Sequence, residues 1–165
     1  MIAAALFIAA AFTRPMERVA TLDPVFAQSV YDSRVVQLLY ETPLNIDYYA
    51  RPYRLSPGYC ELPEVSEDGL VYTFRTRGGS AADMVASLAR LRDPEIVTPN
   101  GWLMKSVDTI TAKDERTVEI RLKNRCHFFP WLMAMSPASV RRPDGSGTGP
   151  SACTVRFEKY SSHLG

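Results

Sequence analysis

The chain has 165 residues, of which 46% are hydrophobic and 22% are charged, a balance that excludes a collagen-like or wholly disordered protein. Lysine and arginine number 19 against 18 aspartates and glutamates, so the formal net charge is +1. This balance lacks the basic surplus typical of proteins that bind nucleic acids or anionic membranes, and we expect no nucleic-acid partner. The length predicts one domain, and 12 prolines beside 9 glycines indicate many turns and short elements.

The N-terminus carries an apolar run that is distinct from the rest of the chain. Residues 2–12 read IAAALFIAAAF, which is too short to span a bilayer of about 30 Å. The run fits the hydrophobic part of a secretory signal, with Ala9 and Ala11 spaced as in a cleavage site. No Lys or Arg precedes it, so a buried Ala-rich helix or the remnant of a longer signal is the alternative. We expect residues 1–14 to be a signal or apolar N-terminal segment, and the chain to be exported to the periplasm or outside the cell.

The next segments alternate between helical and extended patterns. After Asp23-Pro24, apolar residues recur every three to five positions from Phe26 onwards, which predicts a helix that stops before Pro43. Residues 45–63 contain prolines and four tyrosines, a pattern typical of extended, turn-rich chain. Residues 70–75 alternate apolar and polar side chains after an Asp-Gly turn, which predicts a half-buried strand.

A second helix is predicted to begin at Ser80, whose hydroxyl can cap the first turn while Asp83 completes a capping box. It ends at Asp93-Pro94, and its apolar residues share one face: Met84, Val85, Leu88 and Leu91. Residues 107–112 and 117–122 are predicted strands on either side of a short charged turn, and the second of them alternates in polarity. They predict an antiparallel hairpin with one face in water.

The last third of the chain combines apolar, loop and strand patterns. Prolines 130 and 137 limit the apolar stretch 128–140 to a short helical piece, and residues 141–150 predict a loop. Residues 153–158 alternate in polarity and predict a final strand. Core packing is the simplest role for the aromatic set Phe128, Phe129 and Trp131, and a ligand-stacking platform is the alternative. Five tyrosines can line a cleft instead of the core, at positions 40, 48, 49, 53 and 59.

No convincing catalytic or metal-binding motif is present in the sequence. Cys126-His127 is the one adjacent Cys and His pair, and a hydrolase that uses it is an alternative without family context. Three scattered cysteines, at 60, 126 and 153, can form at most one disulfide and match no zinc pattern. The GSGTG run at 145–149 lacks the Lys of a phosphate-binding loop and is followed by Pro150. We therefore expect no enzyme activity, no cofactor and no metal.

Several segments, in this order, resemble the bacterial extracellular solute-binding proteins of family 5, the peptide- and nickel-binding components of ABC importers. The resemblance extends over about residues 20–160 and rests on Leu22-Asp23-Pro24, the segments 39–44 and 65–75, the helix at 81–88, the hairpin at 107–122, and Gly147-Thr148-Gly149-Pro150. The chain departs from the family at Thr42, where a Gly is usual, and at Arg77-Gly78-Gly79-Ser80, which replaces a longer segment. Family members are also considerably longer.

The resemblance implies a fold of the α/β (α+β mixed) class, similar to the type II periplasmic binding proteins. We expect residues 20–160 to form a partial domain, an N-terminal lobe with a mixed sheet and antiparallel hairpins, with the second lobe missing. The implied function is that of the extracytoplasmic solute-binding component of an ABC transporter, which binds peptides or similar small solutes and docks on an ABC permease. The alternatives are a ligand-sensing or interaction module of the same fold, and a truncated product that associates through an exposed apolar face.

The resemblance also implies ligand-binding positions. Ala27, Gln28 and Ser29 match the segment that faces the ligand backbone in peptide-binding relatives, although loop and helix capping is the simpler role. Asn100 and Trp102 fall near another cleft-lining position, where Trp102 would offer an apolar wall. Thr148 lies in the Gly-Thr-Gly-Pro loop beside the hinge, where a structural role is the alternative.

Overall fold

Two antiparallel sheets and two ten-residue helices are the main regular elements of the computed structural model, which describes residues 19–149. The apolar run at 2–12 and the strand predicted at 153–158 lie outside these residues. The regular elements, in chain order, are α1 (Val30–Leu39), β1 (Leu44–Asp47), β2 (Arg54–Pro57), β3 (Glu64–Val65), β4 (Val71–Arg75), α2 (Ala81–Arg90), β5 (Val107–Ala112), β6 (Thr117–Leu122) and α3 (Phe129–Leu132). Single 3-10 turns are Pro24–Phe26, Gly101–Met104 and Ser136–Ala138.

The larger sheet has the strand order β3-β4-β6-β5, with every neighbouring pair antiparallel. Because β6 pairs antiparallel with both β4 and β5, those two strands run in the same direction without being neighbours. Helix α2 connects them and packs on β5 and β6. The α/β class is confirmed, but the predicted mixed sheet is wrong for residues 19–149, since β6 occupies the place where a parallel pair would form.

The core lies between α2 and the larger sheet. Strands β5 and β6 have the predicted bounds, and the apolar side chains of β6 are buried while Arg121 is exposed. Fully buried side chains from three elements meet there: Phe74, Met84, Leu88, Val118 and Ile120. Burying each side chain of this size stabilises the fold by roughly 1.5–3 kcal/mol. The alternating and helical patterns therefore predicted both faces of this core correctly.

The helix caps differ from the sequence prediction. The Ser80 hydroxyl accepts a hydrogen bond from the Ala82 amide at 3.1 Å, so the capping box predicted with Asp83 is not formed. A complete capping box starts α1 instead, where Ser29 Oγ accepts from the Asp32 amide at 3.0 Å. In return, Asp32 Oδ2 accepts from the Ser29 amide at 3.2 Å. Ser29 with Asp32 and Ser80 with Asp83 both fit the capping-box motif. The backbone conformation before each helix decides which of the two capping boxes forms.

The turn-rich segment 45–63 contains a hairpin that the sequence pattern did not reveal. Strands β1 and β2 pair with Leu44 opposite Pro57 and Asp47 opposite Arg54. Most of their side chains are exposed or half-buried, so no alternation of polarity marks the strands. The prolines predicted the turns. The pairing of β1 with β2 depends on backbone hydrogen bonds, which the amino-acid composition does not reveal.

The aromatic residues of the 128–140 stretch do not share one environment. Phe129 is fully buried and packs on Tyr72, with the ring centroids 5.1 Å apart. Phe128 is 61% exposed and stacks on Trp131 at 6.3 Å, so the predicted core role is wrong for Phe128. The short helix α3 and the turn at 136–138 match the limits set by the prolines. Within residues 19–149, no helix has the length and apolar character needed to cross a bilayer.

Candidate ligand-binding site

Two loops that are far apart in sequence meet where the ligand-facing residues were predicted. The side-chain amide of Asn100 donates to the carbonyls of Val25 and Ala27, each at 3.0 Å. The hydroxyl of Thr98 also donates to the Val25 carbonyl. These bonds fix the segment 24–29 against the segment 98–102, and we call the joined surface the loop seam. The structure therefore brings Ala27 and Asn100 together, and the Asn100 amide is used to hold the backbone.

The three residues of the first predicted segment have different roles in the structure. Ala27 is 3% exposed and packs against Val36 and Tyr40. Ser29 uses its hydroxyl to cap α1. Gln28 lies between them with an exposed side chain. Of this segment, Gln28 is the residue whose functional group faces solvent beside the loop seam.

Two aromatic side chains add apolar surface to the loop seam. Trp102 is 46% exposed, two positions after Asn100 in the turn Gly101–Met104. Phe26 is 38% exposed and lies between the two residues whose carbonyls Asn100 holds. The periodicity assigned Phe26 to the buried face of a helix, which is wrong because Pro24–Phe26 is a 3-10 turn that precedes α1. The proline at 24 was the signal that a separate turn starts there.

The turn at the loop seam is anchored by an ion pair. Asp23 caps the turn by accepting from the Val25 amide, and its carboxylate accepts two bonds from Arg90 at the end of α2, at 2.9 and 2.6 Å. A second guanidinium, that of Arg141, lies 3.8 Å from the same carboxylate. Burial alone would raise the pKa of Asp23, but the hydrogen bonds and charge of Arg90 lower it below its usual value.

A buried carboxylate holds the chain that enters this region. Asp32 is 2% exposed, and its Oδ1 accepts from the Ala20 amide at 2.8 Å and from the Thr21 amide at 3.4 Å. Burial would raise the pKa of Asp32, but the hydrogen bonds from Ala20, Ser29 and Thr21 outweigh it and lower the pKa. The capping box of α1 therefore also fixes the segment that leads to the loop seam.

Thr148 lies away from the loop seam. Its hydroxyl accepts from the Glu41 amide at 3.1 Å and donates to the Val140 carbonyl. Gly147 packs so closely on the Leu39 carbonyl that an added methyl group would overlap it. These contacts lie at or after Leu39, the last residue of α1, whereas Asn100 contacts residues before the first residue of that helix. Ten helical residues span about 15 Å. The structure therefore does not bring Thr148 together with Asn100 and Gln28.

A cavity of about 300 Å³ opens beside the end of α1. Its lining mixes polar, aromatic and apolar residues: Gln37, Tyr40, Glu41, Thr42, Asn45, Ile46, Tyr48 and Ala134. Burial raises the pKa of Glu41, against the opposing charge of Arg77. Two of the five tyrosines predicted for a cleft, Tyr40 and Tyr48, line this cavity.

The other predicted chemical groups have less distinctive surroundings. Cys60 is fully buried with its sulfur 3.5 Å from that of Met84, and burial raises its pKa to about 12. Cys126 is half-buried beside the exposed His127, and Cys60 and Cys126 form no disulfide among the residues that the structure describes. Within residues 19–149, no three His, Cys, Asp or Glu side chains group closely enough to hold a metal ion.

The arrangement of α2 on an antiparallel sheet matches part of the fold of the type II-like periplasmic binding proteins. Among solved structures, OppA from Burkholderia pseudomallei has a TM-score of 0.69 and 24% identity over 76% of this chain and 29% of that one. The murein tripeptide binding protein MppA from Escherichia coli has a TM-score of 0.68 and 23% identity over 74% of this chain and 28% of that one. These likenesses establish the fold.

Sequence comparison identifies relatives of the same class. A probable peptide ABC transporter periplasmic-binding protein, y4tO from Sinorhizobium fredii, is 27% identical over 145 residues, which cover 82% of this chain and 26% of the relative. The glutathione-binding protein GsiB of Escherichia coli K12 is 28% identical over 154 residues, which cover 88% and 27%. No protein-family model matches the chain. The predicted resemblance to solute-binding proteins of family 5 is confirmed, and the chain spans about a quarter of the length of these curated relatives.

Proposed function

We propose that this chain is part of the extracytoplasmic solute-binding component of an ABC importer and that it contacts a peptide or similar small solute at the loop seam. The observation that carries the proposal is the pair of hydrogen bonds from Asn100 to the carbonyls of Val25 and Ala27. They hold the exposed Phe26 and Gln28 beside the segment of Trp102, on a fold shared with proteins whose names include peptide- and glutathione-binding.

The loop seam suits a small solute because it is held rigid before binding. Asn100 and Arg90 fix the turn from two sides, so little conformational entropy is lost when a ligand meets it. Phe26 and Trp102 would contact apolar parts of the solute, and the Gln28 amide would bond to a peptide group. The proposed role is binding without catalysis, and the wider protein would deliver the solute to a permease.

Tryptophan emission tests the proposed binding, because the sequence has only two tryptophans, Trp102 and Trp131. In a Trp131→Phe variant, we expect glutathione or tripeptides to change the emission of Trp102 saturably and to raise the melting temperature. Gln28→Ala should weaken binding about 5- to 10-fold, as expected for one lost hydrogen bond. Gln37→Ala is the matched comparison, because this glutamine lines the cavity at the other end of α1 and should leave the affinity unchanged if the solute binds at the loop seam.

Two outcomes would count against the proposal. A folded sample that shows neither an emission change nor a thermal shift with any of these solutes would argue against binding at the loop seam. A loss of affinity in Gln37→Ala as large as that in Gln28→Ala, or larger, would argue against the loop seam and for the cavity beside the end of α1. Fractionation tests the proposed export separately, since chain found only in the cytoplasm would favour the sensing module of the same fold.

A further inference from the structure

The turn that connects β1 and β2, residues 48–53, projects aromatic side chains into solvent. Tyr48, Tyr49 and Tyr53 are 64%, 99% and 51% exposed, and we call this turn the hairpin tip. Tyrosine side chains are large and partly apolar, so a group of three on one short turn is an unusual surface. The hydrogen bonds that form the loop seam join residues 98 and 100 to residues 25 and 27, so the proposed solute site is built without the hairpin tip.

The hairpin tip is held in one shape by its own hydrogen bonds. Asp47 Oδ1 accepts from the amides of Tyr49 and Ala50, at 2.9 and 3.3 Å. The rings of Tyr48 and Tyr53 meet edge to face, with centroids 5.8 Å apart. A surface ordered in this way loses little entropy when a partner binds.

Arg51 is the central group of the hairpin tip. Its Nη1 donates to the carbonyls of Tyr48 and Ala50, at 2.5 and 2.8 Å, and its guanidinium lies over the Tyr53 ring at 4.5 Å. A guanidinium has five N–H donors, so these contacts leave the edge formed by Nε and Nη2. In the part of the chain that the structure describes, no carboxylate forms an ion pair with Arg51. This edge has the geometry that binds a carboxylate through two parallel hydrogen bonds.

We infer that the hairpin tip is a docking surface for an acidic segment of a partner protein. A carboxylate of that segment pairs with the Nε and Nη2 edge of Arg51, while the neighbouring part of the partner packs on Tyr48, Tyr49 and Tyr53. Arginine and tyrosine are, with tryptophan, the residues enriched among those that dominate binding at protein interfaces. The inference does not depend on the proposed solute.

A protein partner fits this surface better than a membrane. Residues 47–54 contain two arginines and one aspartate, whereas attraction to anionic lipid generally needs clusters of about four to eight basic residues. Tyrosine hydroxyls and an ordered guanidinium instead favour a partner with fixed acceptor positions.

The test uses the whole chain with ¹⁵N-labelled arginine and a blocked peptide, acetyl-AEYEA-amide, compared with acetyl-AQYQA-amide. We expect the glutamate peptide to shift the Arg51 Nε–H resonance saturably and to bind at least about 5-fold more tightly than the glutamine peptide. Arg51→Gln should weaken binding about 5-fold or more. Arg54→Gln removes the same charge from an exposed neighbour without the ordered contacts, and should change affinity less than about 2-fold.

Three outcomes would overturn the inference. The first is the absence of any Arg51 shift, and the second is equal weakening by the two arginine variants, which would indicate diffuse charge attraction. The third is stronger binding to vesicles of phosphatidylglycerol and phosphatidylcholine than to the peptide, which would indicate a membrane surface. Circular dichroism of each variant, expected to be unchanged because Arg51 and Arg54 are exposed, separates these outcomes from misfolding.

Discussion

The carboxylate of Asp23 and the guanidinium of Arg90 form a two-point ion pair, with N–O distances of 2.9 and 2.6 Å between residues 67 positions apart. Asp23 caps the turn that enters the loop seam, and Arg90 is the last residue of α2. The pair therefore connects the proposed solute site with the helix that covers the main core. The Leu-Asp-Pro segment thus has a structural role that its sequence pattern does not show.

Replacing Asp23 with Asn should destabilise the fold by about 1–2 kcal/mol, at the lower end for charged hydrogen bonds because the pair is about a quarter exposed. Arg90 keeps the pKa of Asp23 below its unfolded value, so the contribution is complete above that unfolded value and is lost as the pH falls through the folded pKa. Urea unfolding below about pH 5 should therefore show a shallower pH dependence in the variant.

The matched control for Asp23→Asn is Asp108→Asn, which makes the same change at an exposed position of β5. We expect it to leave both the stability and the acid dependence close to those of the unmodified chain. A similar loss in both variants would show that net charge, and not the pairing with Arg90, causes the effect.

Replacing Asn100 should loosen the loop seam, since its amide satisfies carbonyls of two buried residues, Val25 and Ala27. Asn100→Ala should cost about 1–3 kcal/mol because the Ala27 carbonyl loses this donor. Asn100→Asp should cost more, since a carboxylate would face two carbonyl oxygens. Thermal unfolding measures both, and Asn124→Asp at an exposed position is the control. Equal stability of the two Asn100 variants would contradict the assigned donor role.

Two adjacent glycines should differ in their tolerance of a methyl group. Gly79 lies under the buried Tyr59 ring, whose hydroxyl donates to the Ser80 carbonyl at 3.0 Å, and an added methyl group would overlap that ring. Gly79→Ala should therefore destabilise the fold by about 1–3 kcal/mol. Gly78 has open space around the same position, so Gly78→Ala should be neutral or stabilising by up to about 1 kcal/mol. Chemical denaturation of the two variants measures their free energies of unfolding. A Gly78→Ala variant less stable than Gly79→Ala would show that Tyr59 moves freely.

The buried thiol of Cys60 should be unreactive in the folded chain. Burial raises its pKa to about 12, so near pH 8 almost none of it is the reactive thiolate. In a Cys153→Ser background, we expect native alkylation of Cys60 to be at least about 100-fold slower than in urea. The half-buried Cys126 should react first, as read by peptide mass spectrometry. Rapid native labelling of Cys60 would indicate that the core opens near Met84.

Local patterns determined the elements whose burial is regular. The bounds of β6 followed from the alternation of Val118, Ile120 and Leu122. The buried face of α2 followed from the spacing of Met84 and Leu88, because one face of each element packs on the same core. The hairpin β1–β2 was missed because its exposed side chains carry no such alternation. Phe26 was misplaced because one apolar residue before a helix fits its periodicity equally well.

The amino-acid sequence was enough to predict the α/β class, the main core and the resemblance to solute-binding proteins, since these depend on neighbours two to four positions apart and on the order of motifs. Tertiary structure alone decided which polar groups remain available at the proposed site. The amide of Asn100 donates to a carbonyl 73 residues away, and the hydroxyl of Thr148 accepts from an amide 107 residues away. Such partners are distant along the chain, and only folding brings them within hydrogen-bond distance.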